Sequence, residues 1–291
     1  MNIFVTGGTG FIGSNFVYQA LQVNHKVFAL RRSPLSEPRI SMICQPHWIN
    51  SYDDENLISA LKKTDVLVHF SAHAVQNPVD NLSDCMQHNV YQALDLFEKA
   101  KVAGVKHYVV AGSCFEYGRS GEYFANIPSD APLKPVNSYA VSKAFASITL
   151  QQWAYKNNLY LDILRVFQVY GTGEASSRFW PSLKRAALSG FDFSMTAGEQ
   201  IRDFVNVSNV AQTFLGQATA ILPKKPEVNV FNIGSGRALS IRSFAEYWWN
   251  EFRAPGRLML GSVPYRKNEI MRFVAGQKRL LMESKHMAAL D

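Results

Sequence analysis

The chain has 291 residues, 47% of them hydrophobic and 18% charged, with a net charge of +7. That balance supports one large or two modest folded domains and excludes a disordered or low-complexity chain. No apolar run is long enough for a membrane-spanning helix, and the scattered basic residues form no nucleic-acid footprint. Cys44, Cys85 and Cys114 have neither metal-ligand spacing nor the arrangement of a disulfide framework. Met1 runs directly into an apolar strand and a glycine loop, without a basic leader. The expected setting is cytoplasmic, with an anionic small-molecule partner, no metal, no membrane and no nucleic acid.

Apolar runs alternate with amphipathic stretches along the first part of the chain. Ile3–Thr6 reads as a strand, Gly13–Val23 as a helix and Lys26–Leu30 as a second strand. Thr64–Ser71 is apolar on both faces, as a central parallel strand is. Asn89–Ala103 reads as a helix stopped by Gly104, His107–Ala111 as a strand, Ser138–Lys156 as a long helix and Leu159–Val166 as a strand. After Tyr170 the rhythm breaks, and only Phe204–Val207 and Val230–Ile233 look sheet-like again. The pattern predicts an α/β fold with a doubly wound parallel sheet and a smaller C-terminal lobe. Residues 1–170 would form a dinucleotide-binding domain, rejoined by segments near 203–222 and 228–236. The remainder of 171–291 would form a substrate lobe, with a cleft between the two.

The first strand ends in Thr6-Gly7-Gly8-Thr9-Gly10-Phe11-Ile12-Gly13. Gly7 permits the tight turn, Gly10 the approach of a pyrophosphate to the backbone, and Gly13 close helix–strand packing. The helix start attracts the anion. Position between a strand and a helix is the context that makes such a motif informative. The second strand ends in Arg31-Arg32 where an NAD enzyme usually carries an acid. Guanidinium groups suit a 2′-phosphate by charge and by bidentate geometry, so the expected cofactor is NADP(H). Asn50, on the adenine side, and Ser71 and Ala72, at the end of the next strand, are further cofactor-side candidates, a role that rests on a family resemblance.

Tyr139 and Lys143 share one face at the start of the long helix. A neighbouring ammonium is expected to lower the pKa of the phenol and fit it for acid–base work. Ser113 follows the strand at His107–Ala111, at the ligand-facing edge of a parallel sheet.

These motifs, with Asn89, Tyr117-Gly118, Leu164-Arg165 to Tyr170-Gly171, Gly198 to Val207 and Asn232-Ile233-Gly234, resemble the extended short-chain dehydrogenase/reductases, and within them the nucleotide-sugar epimerases, dehydratases and reductases. The resemblance implies a Rossmann-like fold and a catalytic set of Ser113, Tyr139 and Lys143. It gives Asn89 a helix-kinking role in support of a proton-relay water, and Lys143 a hold on the nicotinamide ribose. It also implies a homodimer joined through the helices near Asn89–Ala103 and Ser138–Lys156. The sugar 4,6-dehydratases carry an Asp-Glu pair after this serine. Cys114 and Phe115 stand there instead, which argues against dehydration.

The stretches Gly198–Phe204 and Asn268–Met271 resemble those of reductases that finish deoxysugars, such as CDP-abequose synthases and dTDP-4-keto-6-deoxyhexose reductases. The expected reaction is NADPH-dependent reduction of a nucleotide-linked 4-keto-6-deoxyhexose, for surface-polysaccharide or glycoside assembly. A nucleotide-sugar 4-epimerase and a non-catalytic NADP(H) sensor remain as alternatives. By the resemblance, Arg202 and Arg266 would clamp the substrate diphosphate. Arg202 also reads as an ion-pair partner of Asp203, and Arg266 as a surface charge. His73, Glu116, Arg178 and Trp180 are further substrate-side candidates, with a structural histidine and core aromatics as the other readings. Gln168 stands where many relatives have Asn.

Overall fold

The computed structural model describes residues 1–281 apart from 53–54, 75–80, 267–268 and 277–278. Its centre is a sheet of β1 (Asn2–Thr6), β2 (Lys26–Leu30), β3 (His47–Ile49), β4 (Val66–His69), β5 (His107–Ser113), β6 (Tyr160–Val166), β7 (Val228–Ile233) and β8 (Arg279–Leu280). The order across it is β8-β7-β6-β5-β4-β1-β2-β3, and every neighbouring pair is parallel. This is the doubly wound parallel sheet predicted from the sequence. Chain order reverses between β1 and β4, which opens a crevice at the carboxyl ends of these strands.

Side-chain alternation decides which helices cover which face. Phe4, Leu67, Tyr108 and Leu161 point to one side, where they pack against α2 (Asn56–Leu61), α4 (Gln92–Val102) and α5 (Ser138–Asn157). Ile3, Val5, Val66 and Val68 point to the other, against α1 (Phe11–Gln22) and α7 (Val207–Ala218). Burial on both faces makes β4 a continuous apolar run.

Two boundaries and two edge strands differ from the sequence reading. β5 extends through Gly112 to Ser113, because both pair with Arg165 and Val166 of β6. The helix expected to start at Asn89 starts earlier. α3 (Leu82–Met86), capped by the Asn81 side chain, runs through a π-helical turn at Gln87–Tyr91 into α4. Asn89 thus lies inside the one-residue bulge that such a turn represents, a feature often found at functional sites. β3 and β8 carry no periodic signal, being edge strands of three and two residues.

Beyond β6 the chain adds α6 (Phe179–Ser189) and α8 (Ile241–Glu251), packed through Leu183, Ala187, Ala245 and Trp249. Short strand pairs link this lobe to the sheet. Gln168–Tyr170 pairs with Phe204–Asn206, and Ile201–Arg202 lies between Leu239–Ser240 and Arg272–Phe273. Asp203 is the fastening. Fully buried, its carboxylate accepts from the Ser235 amide and hydroxyl at 2.8 and 2.7 Å, the Gly236 amide at 2.8 Å and the Ala275 amide at 3.1 Å. Asp203→Ala strands these donors, and is expected to destabilise the fold by about 2–4 kcal/mol in chemical denaturation.

Candidate active site

The turn after β1 is shaped by what glycine lacks. Gly7 has φ of +68°, and a Cβ there would stand 2.7 Å from the Phe70 carbonyl carbon and the Ser71 nitrogen. A Cβ on Gly13 would lie 2.2 Å from the Gly7 carbonyl oxygen. The loop therefore closes only with glycine at both places. Gly10 caps α1, whose first turn, including Phe11 and Ile12, holds no acidic side chain. This positive helix end at the crevice is a cradle that fits a dinucleotide pyrophosphate. Thr6 Oγ1 bonds His69 Nδ1 at 2.8 Å and accepts the Ser71 amide at 3.3 Å, which ties β1 to the end of β4 just before Ala72. Burial, and then the charge of Lys143, hold the His69 imidazole down at about 3 and therefore neutral.

The edge beside β2 is basic. Arg31 donates from Nε to Asn50 Oδ1 at 2.9 Å and lies over the Trp48 ring at 4.9 Å. Asn50 thus orients an arginine, where the sequence reading gave it an adenine contact. Arg32 is exposed. Arg39 was missed by sequence reasoning. It is exposed, and its backbone amide bonds the Thr9 carbonyl of the glycine loop at 3.2 Å. Nothing in its sequence context, Ser36-Glu37-Pro38-Arg39, signals that approach.

Ser113, Tyr139 and Lys143 converge at the end of β5. The Ser113 hydroxyl accepts from the Phe115 amide at 3.2 Å and is hydrogen-bonded to the Tyr139 phenol. Asn137 caps α5 through the Ala140 amide at 2.8 Å, which sets Tyr139 in the first turn. Lys143 Nζ donates to the Ala111 carbonyl at 2.7 Å. The electrostatics correct the expectation from the Tyr/Lys pair. Burial pushes the phenol of Tyr139 up; the Ser113 hydrogen bond and the charge of Arg178 oppose this, while Glu116 and Cys114 add to it. Lys143 is held by the strand. Its ammonium is turned to a backbone carbonyl, and burial lowers its own pKa. The protein alone therefore holds Tyr139 as a neutral phenol.

Glu116 corrects a second expectation. It is not a substrate contact, because both of its buried carboxylate oxygens are taken by donors of the protein. Its Oε1 accepts the Ser113 amide at 2.8 Å, and its Oε2 accepts Ser147 Oγ at 2.7 Å and Arg165 Nε at 2.8 Å. Arg165 continues to the Tyr117 hydroxyl, which donates to Asn232 at 2.6 Å. Cys114 lies buried beside this network, and desolvation pushes its thiol up to about 12, so it is no acid or base.

The remaining candidates have local partners of their own or are exposed. The side chain of Asn89 donates to Ser142 Oγ at 2.9 Å and to the His73 carbonyl at 3.2 Å, and accepts the His73 amide at 2.6 Å. The His73 ring packs on His88 at 4.7 Å. Arg178 stands at the N-cap of α6, with Nε 3.8 Å from Glu174. Trp180 packs among Tyr170, Trp248 and Phe252. Arg202 is engaged by Glu269 at 2.7 Å rather than by Asp203, whose oxygens are taken by backbone amides and a serine. A clamp from Arg202 would have to share its guanidinium with that carboxylate. Arg266 is exposed, and Asn268 lies outside the described residues. No cluster of three or more His, Cys, Asp or Glu side chains suited to a metal occurs among the described residues, and none of their helices is long and apolar enough to cross a membrane.

Residues 3–234 match the model of the NAD dependent epimerase/dehydratase family. The chain is 23% identical over 282 residues to UDP-arabinose 4-epimerase 1 of Arabidopsis thaliana, covering 84% of this chain and 66% of that protein, just under two thirds of its length. It is 27% identical over 253 residues to dTDP-6-deoxy-L-talose 4-dehydrogenase (NAD(+)) of Aggregatibacter actinomycetemcomitans, covering 84% of this chain and 88% of the relative. Among solved structures, MoeE5 in complex with UDP-glucuronic acid and NAD superposes with a TM-score of 0.82 at 26% identity, covering 95% of this chain and 90% of MoeE5.

Glu116→Gln tests the network under Ser113. The change removes the countercharge of a buried arginine, and is expected to cost roughly 3–5 kcal/mol in urea unfolding.

Proposed function

Because the chain belongs to the NAD dependent epimerase/dehydratase family, we propose that it is an NADP(H)-dependent reductase of the 4-keto group of a nucleotide-linked 4-keto-6-deoxyhexose. The observation that carries this reading is the Ser113–Tyr139 couple at the end of β5, with a phenol held in its protonated form. A ketone that receives hydride needs one proton and a donor to the developing alkoxide. Tyr139 supplies the first and Ser113 the second. The bound dinucleotide supplies the hydride. Elimination of water would need an acid and a base after Ser113, and Cys114 and Phe115 provide neither. The 4-dehydrogenase relative is named for a 6-deoxy sugar nucleotide, which supports the same carbon and substrate class.

Three guanidinium groups support the choice of NADP(H). Arg31 is held by Asn50 and Trp48, Arg32 is exposed beside it, and Arg39 is exposed, with its backbone amide bonded to the glycine loop. The family model and MoeE5 are described with NAD, so this choice rests on the chain's own charges. A second reading, nucleotide-sugar 4-epimerase, is favoured by the similarity to the UDP-arabinose enzyme. It uses the same three residues but returns the hydride to the sugar.

Assembly as a homodimer is supported by an apolar stripe on α5. Phe145, Ile148 and Tyr155 are 51%, 55% and 77% exposed, and Tyr91 of the π-helical turn is 59% exposed. Such a face fits a second copy of itself.

Oxidation of NADPH should be seen with one of the dTDP-, CDP- or GDP-linked 4-keto-6-deoxyhexoses, and more slowly with NADH. Conversion of an unreduced nucleotide sugar to its 4-epimer, without net oxidation of added NADPH, would favour the second reading. Tyr139→Phe is expected to reduce turnover by roughly 10²- to 10⁴-fold while dinucleotide binding persists; a sensor would be indifferent to the change. Light scattering is expected to give the mass of a dimer, and a monomer at assay concentration would contradict that assembly.

A further inference from the structure

The loop that leaves the Gln168–Tyr170 strand carries a carboxyl group that the chemistry above does not use. Glu174 follows a bend with positive φ at Gly171 and Gly173, +134° and +92°. The bend is packed on three sides. The Thr172 carbonyl accepts Asn15 Nδ2 of α1 at 3.0 Å. A Cβ on Gly173 would stand 2.9 Å from the Ile40 side chain, and a Cβ on Gly171 2.9 Å from that of Val207. Glu174 thus follows a bend where the helix of the glycine loop, the segment after β2 and the start of α7 meet.

The side chain of Glu174 is only 5% exposed. One oxygen faces Arg178 Nε at 3.8 Å, beyond hydrogen-bond distance. The other, Oε2, is buried and has no hydrogen-bond partner among the described residues. Buried carboxylate oxygens are normally satisfied, since desolvation without a donor is costly. The groups that act on this carboxyl are the charge of Arg178 and the Gly171 amide. Arg39, which the Gly173 bend also approaches, bonds the Thr9 carbonyl through its amide, so the bend lies beside the glycine loop.

We propose that Glu174 is a ligand-binding residue whose free carboxylate oxygen accepts the hydrogen of a hydroxyl group on a bound nucleotide, either the dinucleotide or the sugar nucleotide. The two sources share one chemistry: a polyhydroxylated ring whose O–H replaces the missing donor. The inference rests on the reading that this crevice takes both nucleotides, and is indifferent to whether the reaction is reduction or epimerisation.

Calorimetric titration of the full chain with NADPH, NADH, UDP-glucose, dTDP-glucose and CDP-glucose tests it. Glu174→Ala is expected to weaken binding of one class roughly 10- to 100-fold, and Glu174→Gln, which keeps an acceptor, much less. Loss with the dinucleotides assigns the hydroxyl to the cofactor; loss with a sugar nucleotide assigns it to the substrate. Unchanged affinity for every probe in Glu174→Ala would overturn the proposal.

A pH series on wild type and Glu174→Gln covers the case in which the alanine variant fails to fold. Burial pushes the Glu174 carboxyl up to about 7, against the pull of Arg178. A hydroxyl donor favours the ionised form. Affinity for NADH or the responsive sugar nucleotide should therefore rise as pH is taken up through about 7, and the rise should vanish in Glu174→Gln. An affinity that falls over this range, or the same rise in both proteins, would overturn the proposal. These are binding readouts, so an inactive reductase assay leaves them intact.

Discussion

The geometry of the site depends on one buried carboxylate. Glu116 binds the end of β5 through the Ser113 amide, α5 through Ser147 and β6 through Arg165. Ser147 lies on the same helix that carries Tyr139 and Lys143. A single side chain thus sets the separation between the strand that offers the serine and the helix that offers the tyrosine. The requirement is strict because both charges of the Glu116–Arg165 pair are out of water, with side chains 0% and 4% exposed. Such a pair is costly to desolvate and is retained only when its remaining hydrogen-bond capacity is filled. Tyr117, Ser129 and Ser147 fill it here.

The same low-dielectric setting decides how the site is charged. Burial opposes the phenolate of Tyr139 and the ammonium of Lys143 alike. His69, beside the glycine turn, is kept neutral for the same reason. The protein therefore holds Tyr139 as a phenol rather than a pre-formed phenolate. Positive charge is placed at the rim instead, in Arg31, Arg32 and Arg39, where an anionic cofactor edge would lie.

Much of the fold could be read from sequence because its signals are local. The run Val66–Val68 announces a strand buried on both faces, and Thr6–Gly13 announces a turn that only glycine can make. Ser113, Tyr139 and Lys143 were also legible, since a strand end and a helix start locate them. What stayed hidden depends on contacts between distant parts of the chain. Glu116 read as a substrate-side candidate because its partners Ser147 and Arg165 lie 31 and 49 residues away in sequence. Arg202 was weighed against its neighbour Asp203, yet its partner is Glu269, 67 residues on. Arg39 sits in a loop without periodicity and approaches Thr9 only through tertiary packing. The lobe helices α6 and α8 lack the strand–helix alternation that made the first half readable, and their packing is set by aromatic contacts such as Tyr170 with Phe244.

The most direct test of the account follows the hydride itself. Wild-type protein is incubated with NADPH deuterated at the transferable position of nicotinamide C4 and with the 4-keto-6-deoxyhexose nucleotide it accepts, and the product sugar is examined by mass spectrometry and NMR. The account predicts one deuterium at sugar C4 and stoichiometric NADP⁺. A product that carries no label, or a C4 epimer formed without consumption of the deuterated cofactor, would contradict it.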